Sequence, residues 1–202
     1  GESGLSTRLF TPIASLCGTP ITIEGEGTLL RRPMEMMTGP LRTLGVRVRD
    51  NGGFLPFEVR GPIRGGEVDV DGSVSSQFIT GLMLALPLAR HDTTIHVRSA
   101  VSTPYLDMTI DTAARFGVEI CHNDYEEFYI EGGQRYSPAC LSIEGDWSAA
   151  AMLLAAGLLQ RTDSGVTAVL GILGYNVLYL LLIVLGDNAS RWHLWLGLLA
   201  GL

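Results

Sequence analysis

Apolar residues at Met34, Met37, Leu41 and Leu44, and again at Phe78, Ile79, Leu82, Met83 and Leu86, recur at three- and four-residue spacing. That period predicts two amphipathic helices. Residues 46–49, 57–60, 67–71 and 94–98 instead alternate apolar with polar side chains, the mark of half-buried strands. Residues 166–186, VTAVLGILGYNVLYLLLIVLG, break both patterns: 21 residues carry no charge. A run of that length can cross a bilayer. A polar turn and a second apolar stretch, 192–202, follow it, with Arg191, Trp192 and Trp195 at positions typical of interfacial anchors. The segment reads as a transmembrane helix with a truncated second one, the alternative being a buried core helix.

The part before residue 160 repeats itself. Val70-Asp71-Gly72-Ser73 is echoed by Ile143-Glu144-Gly145-Asp146, Arg32-Pro33-Met34 by Thr103-Pro104-Tyr105, Leu44-Gly45-Val46 by Phe116-Gly117-Val118, and Arg60-Gly61-Pro62 by Glu131-Gly132-Gly133, at offsets of 71 to 73 residues. The unit is helix, strand, helix and three strands, and stacked copies imply an α+β domain. Ser75 or Ser76 and Asp146 suit helix N-caps, Pro33 and Pro104 a first helical turn, and Gly45 and Gly117 helix ends.

Composition narrows the chemistry. With 47% hydrophobic and 17% charged residues the chain is no disordered segment. A net charge of −7 argues against a nucleic-acid partner, which demands a basic stripe. All 14 basic residues are arginine, so neither a Schiff-base lysine nor a Walker lysine is available. Cys17, Cys121 and Cys140 are too few and too irregular for a disulfide framework or a zinc site, which points to a reducing compartment. His91, His96, His122 and His193 share no metal-ligand spacing, and no metal is expected. No secretory signal opens the chain, and its start on Gly1 rather than Met suggests a fragment.

Two stretches carry candidate chemistry. Asp71-Gly72-Ser73-Val74-Ser75-Ser76-Gln77 joins a strand to a helix and presents hydroxyls and unpaired N–H groups at a helix N-terminus, where anions are favoured. Gly1 to Arg8 does the same, with Gly4 allowing close backbone approach and Arg8 one turn into the helix. With Arg32 beside Pro33, the two starts can hold two anionic groups without a metal. A serine-rich helix start is equally a plain cap, and Arg31 and Arg32 equally a solvated pair.

These motifs resemble one family in order and content. Asp71 to Phe78 is similar to the shikimate-phosphate loop of the 3-phosphoshikimate 1-carboxyvinyltransferase (EPSP synthase) family. Agreeing with the family in order are Gly1 to Arg8; Arg32-Pro33 with its helix to Gly45; Ser102-Thr103-Pro104-Tyr105 with its helix to Gly117; and Gly132-Gly133-Gln134-x-Tyr136 leading to Glu144-Gly145-Asp146-x-Ser148. The resemblance covers residues 1–159. It implies the enolpyruvyl transferase fold, an inside-out α/β barrel of βαβαββ units, with shikimate 3-phosphate and phosphoenolpyruvate meeting between two domains. Residues 1–143 are expected to form most of the first domain, 144–159 to start the second, and 160–202 to be a hydrophobic tail. By position, Ser75, Ser76 and Ser102 are implied to hold the shikimate phosphate, Tyr105 to lie beside it, and Gln77 to touch both substrates. Gly4, through its N–H, and Arg32, through its charge, are implied to bind phosphoenolpyruvate. No cofactor is implied, and the family suggests a cytoplasmic monomer, with membrane contact only through 166–202.

Two departures and one gap qualify this. Glu2 stands where the family usually has Asn, and Leu5 where it usually has Thr, altering the phosphoenolpyruvate side. The family's early Lys-Ser segment and its second-domain acid–base groups have no counterpart here, so the chain alone is expected to be inactive. The sister transferase acting on UDP-N-acetylglucosamine is an alternative, disfavoured because 25–31 lacks that family's cysteine. A membrane protein whose function lies in the tail is another. A junction with unrelated membrane sequence after Leu159 is a third.

Overall fold

The computed structural model describes residues 1–73, 76–143, 145–146, 150–152 and 155. The chain divides into two compact units, Gly1–Leu141 and Ser142–Leu202. In the first, helix α1 (Gly4–Ala14) leads to β1 (Ile21–Ile23), α2 (Glu35–Thr43), β2 (Arg47–Asn51), β3 (Phe54–Arg60) and β4 (Gly66–Asp71). Then come α3 (Ser76–Ala85), β5 (Thr93–Arg98), α4 (Thr103–Arg115), β6 (Ile120–Asn123) and β7 (Glu127–Ile130). In the second unit the Ala150 N–H donates to the Asp146 carbonyl at 2.8 Å, the first bond of the helix expected at Asp146. The hydrophobic stretches 166–186 and 192–202 lie outside the described residues. Among the described residues no helix is long and apolar enough to cross a membrane.

The internal repeat is visible in three dimensions. Gly4 and Ser76 open α1 and α3, Ile21 and Thr93 open β1 and β5, and Thr43 and Arg115 close α2 and α4, each pair 72 residues apart. The sheets repeat as well, β1-β3-β2 in one and β4-β5-β7-β6 in the other. β4 runs parallel to β5 across the α3 crossover, and the remaining pairs are antiparallel.

Even the helix ends repeat. The Val46 N–H donates to the Leu41 carbonyl and Gly45 to Arg42; 72 residues on, Val118 donates to Ala113 and Gly117 to Ala114. Gly45 and Gly117 sit at φ +85 and +83. This left-handed turn, which glycine adopts without strain, satisfies carbonyls that a helix end leaves open. The two prolines part company. Pro104 lies in the first turn of α4, as expected, but α2 begins only at Glu35, so Pro33 precedes the helix instead of opening it. The Met34 N–H is taken by the Gly53 carbonyl at 2.8 Å, which keeps Pro33 and Met34 out of the helical turn.

Both predicted amphipathic helices bury their apolar faces in one core. Met37 and Leu41 of α2 and Phe78, Ile79, Leu82 and Met83 of α3 join Val59, Ile95, Phe128 and Ile130 from the strands, all of them buried. Each large side chain so buried contributes about 1.5–3 kcal/mol. Helix α1 is unlike these: its buried side carries hydroxyls. Thr7, Thr11 and Ser15 donate to the carbonyls of Ser3, Thr7 and Thr11 at 3.0, 2.6 and 2.9 Å, so each stays satisfied on its own helix.

Helices α1 and α3 pack closely, and Gly81 sets how closely. A Cβ at Gly81 would stand 2.5 Å from the Leu9 carbonyl oxygen and 3.1 Å from that of Arg8. Backbone cannot yield as a side chain can. Gly81→Ala is therefore expected to destabilise the chain by about 1–3 kcal/mol, measured by urea unfolding.

On the exposed face of the second sheet His96 stands opposite Asp69 and Glu127, and its Nε2 meets Glu67 at 2.8 Å. The Glu67 hydrogen bond first, with the charges of Glu67, Glu127 and Asp69 added, raises its pKa above the usual 6.5 against a smaller opposing effect of burial. A raised pKa means stabilisation present below the unfolded value and lost as pH rises through the folded one. His96→Gln is expected to abolish this decline, compared by thermal unfolding between pH 6 and 8.

Candidate functional site

The first turns of α1 and α3 are joined by a side-chain contact. Ser3 caps α1, its hydroxyl accepting the Ser6 N–H at 3.2 Å. One turn on, Arg8 donates from Nη1 to Gln77 Oε1 at 3.4 Å, linking α1 to the first turn of α3. Arg32, which ends the short 3-10 segment Gly27–Arg31, lays its guanidinium against Gly4: a Cβ there would be 2.9 Å from Arg32 Nη1. A side chain at that position would push the tip of Arg32 away.

The electrostatics of this corner are unbalanced. Burial first, and the charge of Arg32 second, lower the Arg8 pKa. The Arg8 Nε is buried and finds no hydrogen-bond partner among the described residues. A buried, orphaned guanidinium nitrogen beside a second cation is costly unless an anion completes it. The N-terminus of α1, with its outward N–H groups and positive dipole end, favours the same occupant.

Glu2 does not supply that anion. Its Oε2 accepts the Thr28 N–H at 3.0 Å and the Thr28 hydroxyl at 2.9 Å, capping the 3-10 segment. These two bonds, the backbone one first, hold its carboxyl below the usual value, with the charges of Arg32 and the N-terminus helping. Leu5 is exposed.

The second group of expected residues sits at the C-terminal ends of the parallel strands β4 and β5, where open α/β sheets form their crevices. Asp71, the last residue of β4, accepts the N–H of Ser73 at 2.9 Å and its hydroxyl at 2.6 Å, setting the turn into α3. Gly72 brings the two loops together: its N–H donates to Arg98 at 2.8 Å, and a Cβ there would stand 3.0 Å from the Ala100 Cα. Ser76 opens α3 and is buried, and Gln77 is half-buried beside Arg8. Ser75 lies outside the described residues. Ser102 stands at the N-cap of α4 with a left-handed backbone, φ 57, and its hydroxyl makes no capping bond. A serine held there is strained, a feature that clusters at functional positions. Tyr105, in the next turn, is 61% exposed.

The structure thus joins Gly4, Arg32 and Gln77 around Arg8, and sets the Ser76 and Ser102 loops side by side. The sequence places Arg8 one turn into an anion-favouring helix start, but the family resemblance carries no role onto it. Asp71 was missed as the residue that shapes the loop. The Gly132-to-Tyr136 motif is structural: Gln134 bridges the Glu119 N–H and carbonyl, and the half-buried Tyr136 donates from its hydroxyl to the Leu84 carbonyl at 2.9 Å. Burial pushes that phenol up to about 12. Cys17, Cys121 and Cys140 are free and exposed.

Comparison with known proteins gives the family of the chain. The family model of EPSP synthase (3-phosphoshikimate 1-carboxyvinyltransferase) matches residues 1–170. The chain belongs to the EPSP synthase family. The 3-phosphoshikimate 1-carboxyvinyltransferase of Salmonella schwarzengrund (strain CVM19633) is 39% identical over 173 residues, covering 84% of this chain and 40% of the relative. That of Yersinia pestis bv. Antiqua (strain Angola) is 38% identical over the same shares. The chain therefore spans two-fifths of the length of these relatives. An EPSP synthase structure from Acinetobacter baumannii superposes with a TM-score of 0.65 at 24% identity, over 77% of this chain and 34% of that one. This likeness shows the α+β fold of the enolpyruvyl transferases. The family match reaches residue 170, past residue 159 where the sequence motifs end and into the uncharged run.

The loop of the EPSP synthase family member described here carries a pH signature. Hydrogen bonds from the Ser73 hydroxyl and then its N–H, with the charge of Arg98, hold the Asp71 carboxyl below 3.8. A lowered pKa gives stabilisation present above the unfolded value and lost as pH falls through the folded one. The Asp71 carboxyl carbon is expected to titrate below 3.8 in an NMR titration, and Ser73→Ala to move it upward.

Proposed function

We propose that this chain forms part of the site of a transferase that moves the enolpyruvyl group of phosphoenolpyruvate to the 5-hydroxyl of shikimate 3-phosphate. The observation that carries the reading is the Arg8 corner: an Nε buried without a partner among the described residues, a second arginine against Gly4, and Gln77 bonded to Arg8. It fits a small anion, and family membership supports phosphoenolpyruvate as that anion. In this reading Arg32 and Arg8 hold its charges and the Gly4 N–H donates to it. Ser75, Ser76 and Ser102 hold the phosphate of shikimate 3-phosphate, Tyr105 lies beside it, and Gln77 touches both. Glu2, engaged with Thr28, leaves the N–H groups of the first turn of α1 to the ligand.

The reaction adds the substrate hydroxyl to C2 of the enol. The hydroxyl proton leaves, a proton enters at C3, and a tetrahedral intermediate forms. Loss of phosphate and a C3 proton then restores the double bond. The residues proposed here bind and orient, and stabilise charge through fixed donors. The proton-transfer groups belong to the remainder of the longer relatives, so the chain by itself is proposed to bind without turnover. Residues 1–143 are proposed as most of the first of two barrel domains of βαβαββ units, with 144–159 starting the second. A cytoplasmic monomer is the accompanying proposal, and the three free thiols suit a reducing compartment.

Calorimetric titration with shikimate 3-phosphate tests the reading. Weak binding is expected, reduced about tenfold by Ser76→Ala and abolished when Ser75→Ala is added. A folded chain that binds equally well with both serines replaced would refute the phosphate assignment. Phosphate release above background would refute the claim that the chain alone is inactive.

A further inference from the structure

The opposite end of α1 holds a second concentration of positive charge. Arg47 on β2 and Arg60 on β3 stand directly opposite one another in the ladder. Like charges so placed weaken a sheet. Arg64 joins them, its stem lying over Gly45, where a Cβ would stand 2.9 Å from the Arg64 Cδ. With Gly18, Gly45, Gly61 and Pro62 these arginines line a cavity of about 250 Å³ with no carboxylate in its wall among the described residues. Arg60 is fixed by its Nε, which donates to the Gly18 carbonyl at 3.0 Å. Among the described residues the ion pairs lie elsewhere, at Arg42 with Asp50 and at His96 with Glu67 and Glu127. Arg47, Arg60 and Arg64 are exposed, and three guanidinium groups around one concavity, none ion-paired among the described residues, favour an anion in a chain of net charge −7.

We propose that this cavity binds a small phosphate-bearing polyanion of the size of diphosphate. Three planar forks suit phosphate oxygens, which guanidinium groups grip in pairs. The volume is below the roughly 300–1,000 Å³ of sites for larger organic ligands, which sets the size. The site is separate from the Arg8 corner. Arg8 and Gly4 lie in the first turns of α1, whereas Gly18 follows its C-terminal end, and an 11-residue helix spans about 16 Å. The inference does not rest on the enolpyruvyl reading.

The test is calorimetric titration of the 202-residue chain with inorganic diphosphate in metal-free buffer. Because the Arg8 corner also attracts phosphate, the reference is the Arg8→Gln, Arg32→Gln chain. It is expected to bind one diphosphate, and adding Arg47→Gln and Arg64→Gln is expected to weaken that binding at least tenfold. Thermal unfolding separates ligation from folding. Without diphosphate, Arg47→Gln is expected to melt no lower than the wild type, because it removes a repulsion. With diphosphate, the wild type is expected to gain in melting temperature and the variant to gain less. Failure of the reference chain to bind, or binding unchanged by the added substitutions, overturns the proposal.

Discussion

The close contact of α1 with α3 at Gly81 is the constraint on which the rest depends. Because no side chain separates the helices there, their first turns lie within reach of each other and Arg8 meets Gln77. The 72-residue repeat explains how the contact arises: the two helices are equivalent elements of successive copies, so their N-termini face the same way. A duplicated unit has thereby placed two anion-favouring helix starts in one corner. The glycine-bounded helix ends at Gly45 and Gly117 turn each chain back into its sheet and preserve that register.

Charge then decides what the corner is for. Arg8 is partly stripped of water, lacks a partner at Nε and faces the field of Arg32. Held without an anion, this arrangement costs stability; with one, each unfavourable feature becomes a binding contribution. Glu2 is the nearest internal candidate to neutralise it, and its carboxylate is occupied by Thr28. In the proposed reading the serines after β4 and β5 add neutral donors for a second, phosphate-bearing ligand.

Much of this was legible in the chain, and the exceptions have physical causes. Both amphipathic helices and all four alternating strands stand where the periodicities put them, because burial on one face enforces period. Gly45 and Gly117 were readable because only a left-handed turn reconciles a helix end with an immediate strand. Pro33 misled because a tertiary bond, Met34 to Gly53, outweighed the local preference. The union of Arg8 with Gln77 was not legible, since it joins residues 69 apart and follows from helix packing alone. Glu2 as a cap for Thr28 was equally hidden, because its partner lies 26 residues away. The serine-rich motif told its story through a resemblance to a family, whereas the strain at Ser102 emerged only from its backbone.

The claim that Arg8 and Arg32 wait for an anion is tested most directly at the orphaned nitrogen. The Arg8 Nε–H resonance, assigned by its loss in Arg8→Gln, should be followed by NMR as phosphoenolpyruvate and shikimate 3-phosphate are added. The account predicts a downfield shift and slower exchange with water as that proton gains its acceptor. An unchanged Nε–H in a chain with ligand bound would contradict it.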